Sequence, residues 1–389
     1  MTIEYKGFHP ESDGWQPERI DPSEIDPKDF FARFIATRTP CILTSFPVST
    51  KEWLDLDWIG KKNGEIIVTV EVSEEGQFGT AMKERVKMTF DEFKSKLPTT
   101  HYYLTTQYKP QEEEEEEGYS IQDGISPPLN KDIPTTCPLF GNLTPHLVNL
   151  WVGATGKENS KTCSGLHHDA HDNFYMLKQG RKQFILFSPR DVQSMYLNGQ
   201  VKRVHSNGLI EYSNSSSCVR SDGAHMADVA EYHVRLAEEA LEAAETQSQV
   251  EAAEEGLEKA MDELLEYQQE ELISDDESVE AKRVKLNEEP QSFSQIDKQT
   301  VWDYSEKKKP SSKFPLLAKA TPVTLNMESG ECLFLPAGWF HQVTSFGNNN
   351  KSGIHLAVNY WLETPDTNVF DKPYSDWFWR DTRWSQIVR

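Results

Sequence analysis

Four apolar runs of strand length follow one another between residues 146 and 188: HLVNLWVG (146–153), SGLHHDA (164–170), NFYMLKQ (173–179) and KQFILFS (182–188), the last ending at Pro189. Short β-rich runs at regular spacing, with glycine at the turns, predict an antiparallel barrel or sandwich. The same texture returns at 322–326, 331–336, 339–345 and 354–362. Residues 1–110 read as a mixed α/β flank. CILTSF (41–46), EIIVTVEV (65–72) and HYYLTTQY (101–108) are strand candidates, and TFDEFKSKL (89–97) predicts a helix capped by Thr89.

Between the two β-rich halves, over 213–313, the period changes. Val229, Tyr232, Leu236 and Ala240, then Val250, Ala253, Leu257, Met261 and Leu264, recur every three or four positions. This predicts one long helix, or a helical hairpin broken near TQSQ (246–249). The polar run 274–295 is expected to be disordered. Strands resume afterwards, so the region reads as an insertion, and deleting 226–290 is expected to leave the fold intact. The aromatic stretch YSDWFWRDTRW (374–384), within a C-terminal segment 366–389, is expected to pack on the β-rich core, with a dimer surface as the alternative.

Charge changes this picture in one respect. The 389-residue chain carries a net charge of −23. Residues 226–290 hold 21 acids against 5 bases, and 112–117 is a run of six glutamates, so the remainder is nearly neutral. The glutamate run reads as a solvated loop. No broad basic face is visible, which argues against a nucleic-acid partner, while a basic partner for the acidic insertion stays open. AKRVKL (281–286) is similar to short basic import signals, and Ser274 sits in the acidic context of acidophilic kinase sites. The opening MTIEYKGFHPESDGWQPERI is polar and no run reaches membrane-spanning length. The five cysteines (Cys41, Cys137, Cys163, Cys218, Cys332) are scattered without a CxxC pair. An intracellular protein with reduced thiols, cytoplasmic or nuclear, is expected.

The candidate chemistry lies in SGLHHDAHDN (164–173). On a strand His167 and Asp169 share a face and His168 points the other way, while DAHDN is expected to turn near His171. An imidazole and a carboxylate suit a borderline divalent metal, but two ligands do not make a site. A third is expected from another strand. GECLFLPAGWFHQV (330–343) offers His341 directly after two bulky aromatics, where a histidine is buried and needs a partner. Zinc accepts the same donors as iron, so ligand types alone leave the metal open. Read without further context, Lys182 is a turn residue beside Arg181, His168 and His171 are exposed or hydrogen-bonded to a ligand carboxylate, and Cys163, Cys332, Trp339 and Trp361 belong to the core.

Over 140–212 and 314–365, and more loosely back to about residue 30, the chain resembles the JmjC family of Fe(II)- and 2-oxoglutarate-dependent oxygenases, a branch of the cupins. The likeness rests on SGLHHD, GRKQFILFSP, GECLFLPAGWFH and VNYW (358–361), four blocks in the family's order. It implies a mainly β fold with α (α+β), a single double-stranded β-helix or jelly-roll domain over 1–389 with flanking helices and the long acidic insertion. It implies that His167, Asp169 and His341 bind Fe(II), that dioxygen is a cosubstrate, and that Lys182 holds the far carboxylate of 2-oxoglutarate. Ser164 matches a Thr/Ser cosubstrate contact, with Gly165 where the family usually has proline. Asn173 and Asn359 match cosubstrate-contacting amides, and Tyr103 a phenol contact for which Tyr102 competes.

Among family members the chain is most similar to the small hydroxylases of lysyl or asparaginyl side chains, which makes a protein substrate the expected partner. Histone methyl-lysine demethylation, modification of a tRNA base and a catalytically inactive scaffold are the alternatives. Oligomeric state stays open.

Overall fold

The computed structural model describes residues 1–48, 55–73, 78, 84–97, 102–107, 133–155, 161–213, 219–274, 290–308, 312–346 and 353–384. The glutamate run, Cys218 and the basic run 281–286 lie outside the described residues. Sixteen strands are described, in three sheets. They are β1 (Thr2–Ile3), β2 (Glu18–Ile20), β3 (Cys41–Leu43), β4 (Ile67–Val72), β5 (Glu84–Thr89), β6 (Tyr102–Leu104), β7 (Pro145–Ala154) and β8 (Lys161–His167). They continue with β9 (Asp172–Gln179), β10 (Arg181–Phe187), β11 (Val201–Val204), β12 (Ile210–Tyr212), β13 (Val323–Glu328), β14 (Cys332–Leu335), β15 (Phe340–Phe346) and β16 (Ile354–Leu362).

The large sheet runs β2-β3-β14-β9-β16-β7-β6-β4-β5 and faces a four-stranded sheet, β13-β10-β15-β8. The expected barrel is thus a jelly-roll-like pair of sheets that are not hydrogen-bonded to each other among the described residues. A small third sheet, β1-β11-β12, lies apart.

Alternation along each strand explains the layers. In β9, Phe174 and Met176 join a core shared with the N-terminal flank, while Tyr175 and Leu177 face the space between the sheets. In β10, Phe184 and Leu186 face inward, and Ile185 and Phe187 pack outward under residues 192–210 and 296–320. Both faces of these strands are buried, so they read as near-continuous apolar runs. In the flank, the helix Phe90–Lys96 starts as expected, with Thr89 accepting from the Glu92 amide at 3.1 Å.

The insertion is a helical hairpin, Met226–Glu242 and Gln247–Ser274, broken at 243–246. Its base is tied down: Val229, Ala230 and Tyr232 are buried, and the Tyr232 hydroxyl donates to Asp381 at 2.8 Å. Further out Leu236 and Met261 are exposed, while Val250, Ala253, Leu257 and Leu264 of the same stripe are half-buried and Ala260 is buried. The C-terminal aromatics Phe378 and Trp379 are buried, partly beneath this base.

One expectation for the insertion fails. Residues 290–295 are not disordered: the Ser294 amide donates to Leu166 O at 2.9 Å, and the Asn198 amide to Phe293 O at 2.8 Å. The helix Lys298–Ser305 then packs against the four-stranded sheet, with Val301 buried and Trp302 Nε1 donating to Thr344 Oγ1 at 3.0 Å. Backbone pairing outweighs the polar composition of this stretch.

Candidate metal centre

His167 ends β8, and His341 stands directly opposite it on β15 in cross-strand register. Antiparallel neighbours bring the two rings to a centroid separation of 4.2 Å. Asp169 is not on the strand. β8 stops at His167, and Asp169 lies in the following turn, where its carbonyl accepts the Gly338 amide at 2.9 Å. Gly338 has φ +75°, and a Cβ there would fall 1.9 Å from Gly208 O, so the turn before β15 requires glycine. The hydrogen bond between the two turns, rather than strand parity, carries Asp169 to the histidines. His341 Nε2 lies 3.7 Å from Asp169 Oδ2, and one ligand atom from each of the three residues lies within 4.8 Å of the other two.

Main-chain carbonyls orient both rings. With Nδ1 protonated, His167 donates to Gly165 O at 3.1 Å and His341 to Trp339 O at 2.9 Å, which leaves each Nε2 a lone pair for a metal. Burial, together with the neighbouring His341, lowers the His167 pKa to about 3, which keeps the imidazole neutral. Burial alone would raise the Asp169 carboxyl, but the surrounding histidines, His341 first, bring it below its ordinary value. A neutral His167 imidazole and an ionised Asp169 carboxylate are the protonation states a divalent metal needs of these two groups.

A relay of amides holds Asp169 from behind. Asn173 Nδ2 lies 3.5 Å from Asp169 Oδ2, Asn359 Nδ2 donates to Asn173 Oδ1 at 3.0 Å, and Trp151 Nε1 donates to Asn359 Oδ1 at 2.7 Å. The two asparagines come from adjacent strands and sit side by side behind the carboxylate.

Lys182 enters the same cavity from β10. It is fully buried, donates to Ser345 Oγ at 2.8 Å and lies 3.5 Å from Tyr103 Oη. No carboxylate lies within ion-pair distance of it among the described residues, and burial pulls its pKa down to about 7. A buried ammonium without a counter-charge is costly, and an anionic ligand would supply one. Tyr103, not Tyr102, faces this cavity; Tyr102 lies under Lys96.

Ser164 lies in a bulge where the β8–β15 register shifts. Its hydroxyl accepts the Val343 amide at 3.1 Å and donates to Gly165 O at 2.9 Å. Gly165 has φ +77°, a left-handed conformation that glycine adopts without strain. The cavity bounded by these groups measures about 240 Å³ and is lined by Ser164, the three candidate ligands, Lys182, Tyr103, Asn173 and Asn359. The structure therefore brings together the eight residues that the family likeness assigned to metal and cosubstrate.

Other expectations change. His168 is buried, bonded to the Tyr212 hydroxyl with its ring edge-on to Phe340. Trp339 is core, its Nε1 donating to Arg38 O at 3.1 Å, but Trp361 lines the cavity. His171 stacks on His146 at 3.9 Å, with Glu363 beside both. That second cluster is an ion-pair network. Arg383 Nη1 already lies 2.7 Å from His146 Nδ1 and 3.0 Å from Glu363, and rings stacked at 17° cannot both hold one ion in their planes.

Three features escaped sequence reasoning. Phe293, from the tail of the insertion, lies flat on His167 at 4.8 Å and 9°. Arg38 and Asp172 form a buried ion pair, and Asp172 also accepts the Ala337 amide at 2.9 Å, tying the flank to the turns beside both candidate ligand segments. Asn149 and Trp361 present polar atoms to the space between the sheets with no hydrogen-bond partner among the described residues.

The family pattern described as a cupin-like domain matches residues 27–368. The chain is 32% identical to "JmjC domain-containing protein 4" of Schizosaccharomyces pombe, with 96% of this chain and 90% of that protein aligned. It is 22% identical to "Lysine-specific demethylase JMJ32" of Arabidopsis thaliana over 90% of this chain and 82% of that protein. With "Lysine-specific demethylase 8" of Danio rerio the identity is 28% over 48% of this chain and 43% of that protein. Two facing sheets, a His-x-Asp turn and a distal histidine on the opposite strand agree with these matches, and the chain belongs to the cupin-like, JmjC-domain family.

Proposed function

We propose that the chain is an Fe(II)- and 2-oxoglutarate-dependent dioxygenase that hydroxylates a protein side chain, with lysyl or asparaginyl substrates as the first candidates. The observation that carries this reading is the pairing, in one cavity, of the His167–Asp169–His341 cluster with a buried Lys182 that has no acidic partner among the described residues. Bound iron would supply oxidation by dioxygen coupled to decarboxylation of the 2-oxo acid. The residues supply the rest. His167, Asp169 and His341 would hold the metal through two imidazole nitrogens and a carboxylate oxygen. The Asn173–Asn359–Trp151 relay keeps Asp169 aimed at that position. Lys182 with Ser345 fixes an anion at the far end, and Phe184, Val343 and Phe293 keep the cavity walls apolar.

Succinate release from 2-oxoglutarate in the presence of added Fe(II), without protein substrate, tests this reading. His167→Ala and Asp169→Ala each abolish it, and Lys182→Ala raises the 2-oxoglutarate requirement at least tenfold. Turnover persisting in either ligand variant would mean the metal is elsewhere. Two relatives carry the name lysine-specific demethylase, which supports methyl-lysine demethylation as the second reading. Product mass separates the two: one oxygen gained, or one methyl group lost.

A further inference from the structure

His355, Ala357, Asn359 and Trp361 occupy alternate positions of β16 on the side that faces the opposing sheet; Leu356, Val358, Tyr360 and Leu362 point into the other core. Asn359 and Trp361 belong to the metal end of the cavity. His355, four residues before Asn359, is not among the residues that line the cavity, but it lies near enough to Lys182 for the ammonium to oppose its protonation. The strand register explains its placement. Tyr103, Gly153 and His355 form one row across β6, β7 and β16.

A side chain at Gly153 would fall 2.4 Å from Tyr103 Cδ2 and 2.7 Å from His355 Cε1, so the bare glycine lets the phenol and imidazole meet at 5.5 Å. On its other flank, a Cβ at Gly180 would lie 2.8 Å from His355 Cβ. Two glycines from different elements thus make room for this ring. The ring is fully buried, and neither nitrogen has a hydrogen-bond partner among the described residues. Burying a polar ring with both nitrogens unpaired is a penalty that a core would avoid with phenylalanine or leucine. Beside it stands an ammonium with no carboxylate within ion-pair distance among the described residues.

We propose that His355 is a cosubstrate-binding residue that acts with Lys182 and Tyr103 on the metal-remote carboxylate of a five-carbon 2-oxo diacid, directly or through one water. This rests on the functional reading above. A carboxylate has more acceptor sites than Lys182 can fill, and a neutral imidazole contributes an N–H at the same end. Donors fixed on two facing sheets also set a distance from the metal, so they select the length of the diacid.

The test is calorimetric binding to the full chain loaded with Mn(II), with N-oxalylglycine as the diacid probe and oxalate as a probe that reaches only the metal. His355→Phe, which keeps an aromatic ring and removes both nitrogens, weakens N-oxalylglycine at least tenfold and changes oxalate less than twofold; His355→Gln recovers part of the loss. Equal loss for both probes, or no loss for N-oxalylglycine, overturns the proposal. A readout free of substitution uses the wild-type chain with Zn(II) and ¹⁵N-histidine, the His355 ring being assigned through its contact with Tyr103. N-oxalylglycine shifts those ring nitrogens and oxalate does not; an unmoved ring under saturating N-oxalylglycine also overturns it. If wild type binds neither probe, the functional reading falls and this inference with it. If wild type binds both and His355→Phe does too, only the inference falls.

Discussion

Asp172 shows how much one buried carboxylate organises. It is fully buried, pairs with the buried Arg38 and accepts the Ala337 amide, so it joins the flank, the turn after β8 that carries Asp169 and the turn before β15. Removing one partner of a buried ion pair leaves an uncompensated charge, typically at a cost of about 3–5 kcal/mol, whereas replacing both with apolar groups costs far less. Asp172→Ala is therefore expected to lower stability by that amount in urea unfolding and to weaken Mn(II) binding, because Ala337 loses its acceptor. Arg38→Met combined with Asp172→Leu recovers most of the stability. If the single and double variants unfold at the same urea concentration, the pair is not what holds the turns. At this scale the candidate histidines were legible because the His-x-Asp spacing marked His167, two bulky aromatics marked His341, and the four family-like blocks joined them. Asp169 was found for an incomplete reason, since a turn-to-turn hydrogen bond places it. Arg38 carries no local signal of its partner 134 residues away, and His355 looks like any strand residue until its two glycine neighbours are known.

The insertion divides into two parts with different work. Periodicity made the hairpin readable, since helix formation is local. The return of 290–296 to the site was not readable, because main-chain pairing between segments far apart leaves no compositional trace. Phe293 lies on His167, so Phe293→Ala is expected to remove an aromatic contact of about 0.5–1.5 kcal/mol and to weaken Mn(II) roughly threefold to tenfold. Unchanged calorimetric affinity would make the stacking incidental. The hairpin tip should matter little. His233 faces Glu263 at 3.7 Å, so residues 236 and 260 are within reach of a short linker across neighbouring helices. Replacing 237–259 by a four-residue Gly-Ser linker is expected to move Tm by less than ~2 °C. A deletion carried through Phe293, by contrast, exposes His167 and lowers metal affinity. Loss of the melting transition on removing the tip alone would show that its apolar stripe is structural.

Across the whole molecule, two sheets enclose a space whose polar groups do not satisfy one another: Lys182 has no acid, and His355, Asn149 and Trp361 keep unpaired atoms among the described residues. Such an interior is stable at the expense of the free protein and is completed by what binds, which gives a stability profile with a definite sign. Burial lowers the Lys182 pKa from its ordinary 10.5 to about 7. Between those values the unfolded chain holds the proton that the folded chain has released, so this group makes folding more favourable as pH rises from about 7 toward 10.5. A diacid that pairs with the ammonium restores the protonated form and removes that dependence. In urea unfolding of the free chain, the difference between wild type and Lys182→Met is expected to be largest near pH 7, with the variant the more stable, and to shrink by pH 9. With Mn(II) and saturating N-oxalylglycine the gap narrows, because wild type gains more binding free energy than the variant, about 2.7 kcal/mol at a hundredfold excess over its Kd. A Lys182→Met chain that is less stable than wild type at pH 7 without ligand would mean that Ser345 and Tyr103 already satisfy the ammonium, and that the space between the sheets is not built around an anion.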